Sequence, residues 1–201
     1  MIKNNLHNNL FDIEEIKRYK FINKTGFSDI CQLEKEQLKS ALTNLNDIYN
    51  HIETKAPAEG YEVIFYKRAH ERPFQIYIDA IGKREPLSEI KMPKLSKCFF
   101  CNSVEKNEQM AKVAQKAEKL ARIIETPNLT PLSISFNHKS HWFKLEVEEQ
   151  IHMIESVKDT IKVFNPSSPC YLLRAHIGEA GGQTVPHTHL HYFPKPVNEK
   201  K

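Results

Sequence analysis

Glycine is scarce in this chain, at 6 of 201 residues. Tryptophan occurs once and cysteine four times. Little glycine excludes collagen-like and low-complexity readings of the whole chain. Four cysteines are too few for a disulfide framework at this length. No run of about 18 apolar residues is present, so no membrane-spanning helix is expected. The N-terminal stretch MIKNNLHNNLFDIEEIKRYK has no apolar core segment and no small-residue cleavage site, so no secretory signal is expected. No large charge excess exists either, because 29 Lys and Arg against 25 Asp and Glu leave +4. That balance suits a small anionic ligand better than a nucleic acid, whose binders carry a clear basic stripe. A length of 201 residues with 40% hydrophobic content describes one ordinary domain with room for an appendage.

What glycine there is sits unevenly. Gly178, Gly181 and Gly182 fall within five residues, and His187, His189 and His191 alternate just downstream. The hydrophobic pattern around them alternates between periods of 3.6 and 2. Leu10, Ile13, Ile16 and Lys20 suggest a short helix over 10–20, and Leu38, Leu42, Leu45, Tyr49 and Ile52 a longer one. Asp29 with Gln32 is a candidate cap for the longer helix, which Ala56-Pro57 ends. Tyr61–Lys67 and Phe74–Ile81 read as strands joined by a basic turn with Arg68, His70 and Arg72. Helix propensity favours 105–118. Leu120–Glu125 and Leu132–Phe136 read as strands, and Val147, Ile151, Ile154, Ile161 and Phe164 as a helix of about 18 residues. Tyr171–Ile177 and Pro186–Phe193 complete the set.

Strand geometry sends alternate residues to one face. Neighbouring histidines of the cluster would then lie roughly 6.6 Å apart and the outer two about 13 Å. A zinc ion, with nitrogen ligands at about 2.1 Å, cannot take all three from a straight strand. Divided roles follow, with one histidine a ligand and another chemical. Imidazole attacks phosphorus well when its other nitrogen is held by an acceptor. Glycines let backbone N–H groups approach phosphate closely, and Thr184 adds a hydroxyl. Cys98-Phe-Phe-Cys101 has ligand spacing, although a lone pair of this kind serves zinc or simple thiols equally. It points to a reducing, cytoplasmic setting. His138 and His141 are the nearest further donors. Cys31 and Cys170 read as buried thiols.

The segment Gly182-Gln183-Thr184-Val185-Pro186-His187-Thr188-His189-Leu190-His191 resembles the signature of the histidine triad superfamily of nucleotide hydrolases and transferases. The resemblance covers about Leu95–Pro196. It implies an α+β fold, an antiparallel sheet with a long helix. The first 90 residues lie outside it, and periodicity alone reads 1–56 as a helical extension before a domain over 57–201. The resemblance implies that His189 attacks an α-phosphorus to form a nucleotidyl-histidine, that the His187 carbonyl orients it, and that His191 contacts phosphate oxygens. Gln183, Thr184 and Gly182 would serve the phosphate. His176 stands where many members carry asparagine, and Asn128 lies in the segment resembling the ribose-binding one. In relatives bearing the cysteine pair, similar to galactose-1-phosphate uridylyltransferase, zinc is structural. Its ligands here would be Cys98, Cys101, His141 and His187, with His138 the alternative to His141. Transferases of that branch carry glutamine at the third histidine, so His191 leans toward hydrolysis of a dinucleoside polyphosphate, nucleotide-sugar or phosphoramidate. Transfer or phosphorolysis, or a zinc-stabilised nucleotide-binding module without turnover, are the alternatives. Many members are homodimers, which extends that expectation to this chain.

Overall fold

In the computed structural model of the chain, the residues described are 11–16, 18–23, 29–67, 74–106, 112–114, 121–125, 132–135, 137–164 and 170–195. Among them, nine strands form a single antiparallel sheet: β1 (Phe11–Ile16), β2 (Arg18–Asn23), β3 (Gly60–Lys67), β4 (Gln75–Ile81), β5 (Lys112–Ala114), β6 (Ala121–Glu125), β7 (Leu132–Ser135), β8 (Cys170–Ile177) and β9 (His189–Lys195). Their spatial order is β1-β2-β4-β3-β8-β9-β7-β6-β5. Three helices accompany them, α1 (Lys35–Lys55), α2 (Phe99–Lys106) and α3 (Val147–Phe164).

Period-2 alternation decides the two faces of the sheet. Tyr61, Val63 and Phe65 of β3, Ile76 and Ile78 of β4, Tyr171, Leu173, Ala175 and Ile177 of β8, and Leu190 and Tyr192 of β9 are buried in one core. The apolar stripes of α1 (Leu38, Leu42, Leu45, Ile52) and α3 (Ile151, Ile154, Val157) join the same core. The opposite face carries Glu62 of β3, Arg174 and His176 of β8, and His189 and His191 of β9. Register brings Glu62 opposite His176 and Arg174 opposite His191. One face therefore holds the fold together and the other is free to carry chemistry.

The two long helices lie where their periodicity puts them. The cap differs: Asp29 accepts from the Cys31 N–H at 2.9 Å and opens a short 3-10 turn, while α1 starts at Lys35 with the Glu34 N–H donating to Gln37 Oε1 at 2.9 Å. Asp29 is also anchored by Lys67 Nζ at 2.5 Å and by the Tyr171 hydroxyl at 2.6 Å, tying the approach to α1 to β3 and β8. Burial acts to raise the Asp29 pKa, but those two bonds and the Cys31 N–H outweigh it and hold the carboxyl below its usual value.

Two expectations are corrected. Residues 11–16 and 18–23 are strands, not a helix: β1 pairs with β2, and β2 with β4, so sheet partners override a three-residue spacing. The helix expected over 105–118 starts earlier, at Phe99, and 112–114 pairs with β6 as strand. The basic turn with Arg68, His70 and Arg72 lies outside the described residues.

Candidate active site and metal centre

The segment 178–187 folds back on the ends of β3 and β8. Gly182 has φ +83°, a left-handed conformation that glycine adopts without strain. Gly181 lies so close to β3 that an added Cβ would sit 2.3 Å from the Ile177 carbonyl oxygen and 2.6 Å from that of Tyr61. Both neighbours are backbone and neither can give. Gly181→Ala is therefore expected to destabilise the protein by about 2 kcal/mol or more, read as a lowered denaturation midpoint; an unchanged midpoint would show that the turn is not packed this way.

Gln183 locks the turn. Its Oε1 accepts from the Gly178 N–H at 3.0 Å, and its Nε2 donates to the carbonyls of Ser140 and Val185. The side chain that resemblance assigns to the phosphate is thus engaged within the protein. Thr184 is exposed beside it, and an open groove of about 880 Å³ runs along Gly182, Thr184 and Pro186 toward Glu89 and Lys91.

His187 precedes β9 and turns away from the strand face. Its Nε2 lies 2.8 Å from the Ser135 carbonyl oxygen, so this nitrogen carries the hydrogen and Nδ1 keeps its lone pair. His138 repeats the arrangement, with Nε2 2.8 Å from the Pro93 carbonyl oxygen. The two Nδ1 atoms lie 3.4 Å apart. Cys98 Sγ is 3.3 Å and Cys101 Sγ 3.6 Å from the His187 Nδ1, and Cys101 Sγ is 3.4 Å from that of His138. A tetrahedral zinc ion separates two nitrogen ligands by about 3.3 Å and a nitrogen from a sulfur by about 3.6 Å. The donor set fits such an ion, and each imidazole already has the backbone acceptor on its far nitrogen that ligating histidines use.

His141 does not belong to this group; His138 does. His141 is buried beneath Tyr49, with ring centroids 6.3 Å apart, at the start of a 3-10 turn. Burial, then the nearby Lys144 charge, pushes its pKa down to about 4. The four donors come from α2 and its approach, the loop after β7 and the approach to β9. Around them the apolar packing is small: Cys98, Phe100 and Ile134, with Cys101 and Val185.

His189 opens β9. Its Nδ1 lies 2.8 Å from the carbonyl oxygen of His187 and donates to it, which leaves the Nε2 lone pair for reaction. Phe100 packs on its ring at 5.0 Å between centroids. Burial is the main cause that pushes the His189 pKa down to about 4, against the hydrogen bond to His187. His191, 4.9 Å away by ring centroid, is pushed down to about 4 by burial first, then by His189, His176 and Arg174. Both rings are neutral at pH 7, the state in which imidazole is a nucleophile.

His176 stands on β8, 5.4 Å from His191 by ring centroid. Its Nδ1 is 2.7 Å from the Gly181 carbonyl oxygen and 3.2 Å from Glu62 Oε1. Arg174 Nη1 lies 3.5 Å from the same Glu62 oxygen. Sequence reading did not single out Glu62 or Arg174. The signal was present, since Arg174 and His176 are the polar positions of an otherwise apolar alternating strand. Asn128 lies outside the described residues.

No protein-family model and no curated protein matches the chain. Solved structures do. A uridylyltransferase mutant matches with a TM-score of 0.62 and 16% identity over 87% of this chain and 64% of its own. A GalT-like protein from Arabidopsis thaliana matches with a TM-score of 0.61 and 13% identity, over 91% and 67%. An Arabidopsis thaliana ADP-glucose phosphorylase with bound ADP-glucose gives 0.62 and 13%, over 92% and 65%. The chain thus spans about two thirds of the length of these proteins. The fold is the α+β, histidine-triad-like fold of uridylyltransferase-type structures, as the motif implied.

Proposed function

We propose that the chain transfers nucleotidyl groups, with His189 attacking the α-phosphorus of a nucleotide substrate to form a nucleotidyl-histidine. The observation that carries this reading is the His189 ring itself. It is buried, neutral, tied through Nδ1 to the carbonyl of His187, and flanked by His191 and Phe100. A nucleophilic nitrogen with its partner nitrogen fixed is what attack on phosphorus requires. Under this proposal His191, the backbone of Gly182 and the Thr184 hydroxyl meet the phosphoryl oxygens. In this reading Cys98, Cys101, His138 and His187 hold a structural zinc ion, which fixes the loop from which His189 hangs. The substrate is a small nucleotide with a phosphoanhydride leaving group, a class that includes nucleotide-sugars.

Two acceptors for the bound nucleotidyl group are supported. The shared fold with a uridylyltransferase and a phosphorylase supports a phosphate or sugar phosphate. His191 in place of glutamine supports water. Incubation with a nucleotide-sugar or dinucleoside polyphosphate labelled at the α-phosphate tests the reading. A labelled protein stable to base and lost in acid is expected, with mononucleotide released in water or a new anhydride formed with added phosphate. Neither adduct nor product with any of these substrates would sink it.

A further inference from the structure

Beside the nucleophile, on the same face of the sheet, stands a carboxylate–imidazole pair that the resemblance does not explain. Glu62 and His176 face each other across the β3–β8 register. Two acceptors, the Gly181 carbonyl oxygen at 2.7 Å and Glu62 Oε1 at 3.2 Å, confront His176 Nδ1. That nitrogen must therefore carry the hydrogen. The lone pair is left on Nε2, which takes part in no hydrogen bond among the described residues. The pair is half-sheltered, each side chain 16% exposed, so the carboxylate acts through little water. It stabilises the imidazolium that forms when Nε2 takes up a proton, as a carboxylate does behind a general base. The ring stands 5.4 Å from His191, which stands 4.9 Å from His189.

We infer that His176, positioned by Glu62, is the general base that activates a neutral hydroxyl acceptor, water in the first instance, for discharge of the nucleotidyl-histidine. This deepens the proposed function and rests on it. In the step, the water oxygen forms a bond to the α-phosphorus while the bond from phosphorus to His189 Nε2 breaks. That electron pair returns to the imidazole, restoring neutral His189. The proton released by the water goes to His176 Nε2 and leaves to solvent with the mononucleotide. A phosphate acceptor is already an anion at pH 7 and needs no base. A built base is thus a specificity device that favours water over phosphate. Arg174, 3.5 Å from the same Glu62 oxygen, helps hold the carboxylate in place.

The test isolates the nucleotidylated protein, removes substrate, and follows loss of label in water and in added inorganic phosphate. His176→Asn is expected to slow discharge into water by about 10²-fold while phosphate-driven discharge and adduct formation change less than about 3-fold. Glu62→Gln is expected to slow only the water arm, by about 10-fold, and added imidazole to restore part of that arm in His176→Ala. Equal loss in both arms would mean that His176 merely holds the glycine turn, and would overturn the inference, as would an unchanged water arm. A wild-type adduct that discharges into phosphate alone would overturn it too. Absence of any adduct on the wild type would instead overturn the nucleotidyl-transfer reading, and this inference with it.

Discussion

Replacing His189 with alanine is expected to lower turnover of an α-labelled nucleotide by about 10⁴-fold or more, with no adduct on the protein. The magnitude follows from loss of a nucleophile rather than of a helper, for which single deletions cost about 10⁴- to 10⁶-fold. The other described histidines near the site are less suited to the attack. His187 has its Nδ1 in the metal group and its Nε2 on the Ser135 carbonyl. His176 keeps an Nε2 lone pair of its own, but it stands one ring further off, 5.4 Å from His191 by centroid. For His191 no backbone acceptor among the described residues fixes Nδ1 as the His187 carbonyl fixes that of His189. The fold should survive, because the His189 ring lies on the face of the sheet opposite Leu190 and Tyr192 of the main core, against Phe100 and His191. Circular dichroism and metal content should match the wild type. Retained activity would remove His189 as nucleophile.

Cys98→Ser is expected to release the bound metal and lower both stability and activity. Cys98 is fully buried, 3.3 Å from the His187 Nδ1. Apolar packing in this corner amounts to two other fully buried side chains, Phe100 and Ile134. So small a cluster holds little by the hydrophobic effect, whereas a structural zinc ion supplies about 10 kcal/mol or more to the sequence that binds it. Metal analysis should fall from about one zinc per chain to near none, and the melting temperature should drop by about 10 °C or more. Turnover should fall by about 10- to 100-fold even in the folded fraction, since support of a functional group is lost rather than the group itself. His138→Ala should behave alike and His141→Ala should keep the metal. Wild-type protein without zinc, prepared under reducing conditions with zinc supplied, would refute the site.

Much of this was legible in the sequence because periodicity reports burial. α1, α3, β3, β4 and β8 alternate or repeat as the core demands, and the glycine turn announces itself by composition. Three things escaped. Residues 11–23 carry apolar side chains compatible with either period, and only the free edge of β4 decides for strand. His138 and His141 lie three apart in a loop with no repeat to rank them. The choice falls to the path of the chain after β7, which turns His141 inward beneath Tyr49 and His138 out toward Pro93. The alternation that places all three triad histidines on one face stops short, because β9 begins at His189 and His187 sits in the preceding turn. The two rings part company there, that of His187 turned to the cysteines and that of His189 set against Phe100 and His191.

His187 joins both halves of the site in one residue: its ring points to the cysteines and its carbonyl receives the His189 N–H. A residue that serves two masters sets a tolerance. Metal–ligand lengths vary by about 0.2 Å, a tighter gauge than loop packing provides and well inside the roughly 0.5 Å that a reactive group can be allowed to stray. In the proposed reading, error in the position of His189 is inherited from coordination bonds made two residues upstream, at His187. Drift elsewhere in the chain, in surface loops or in the outer strands, passes through a rigid datum before it reaches the reacting nitrogen. Sequence change can accumulate around such a centre while the attack distance stays fixed, which suits a fold shared at 13–16% identity with the solved structures it matches.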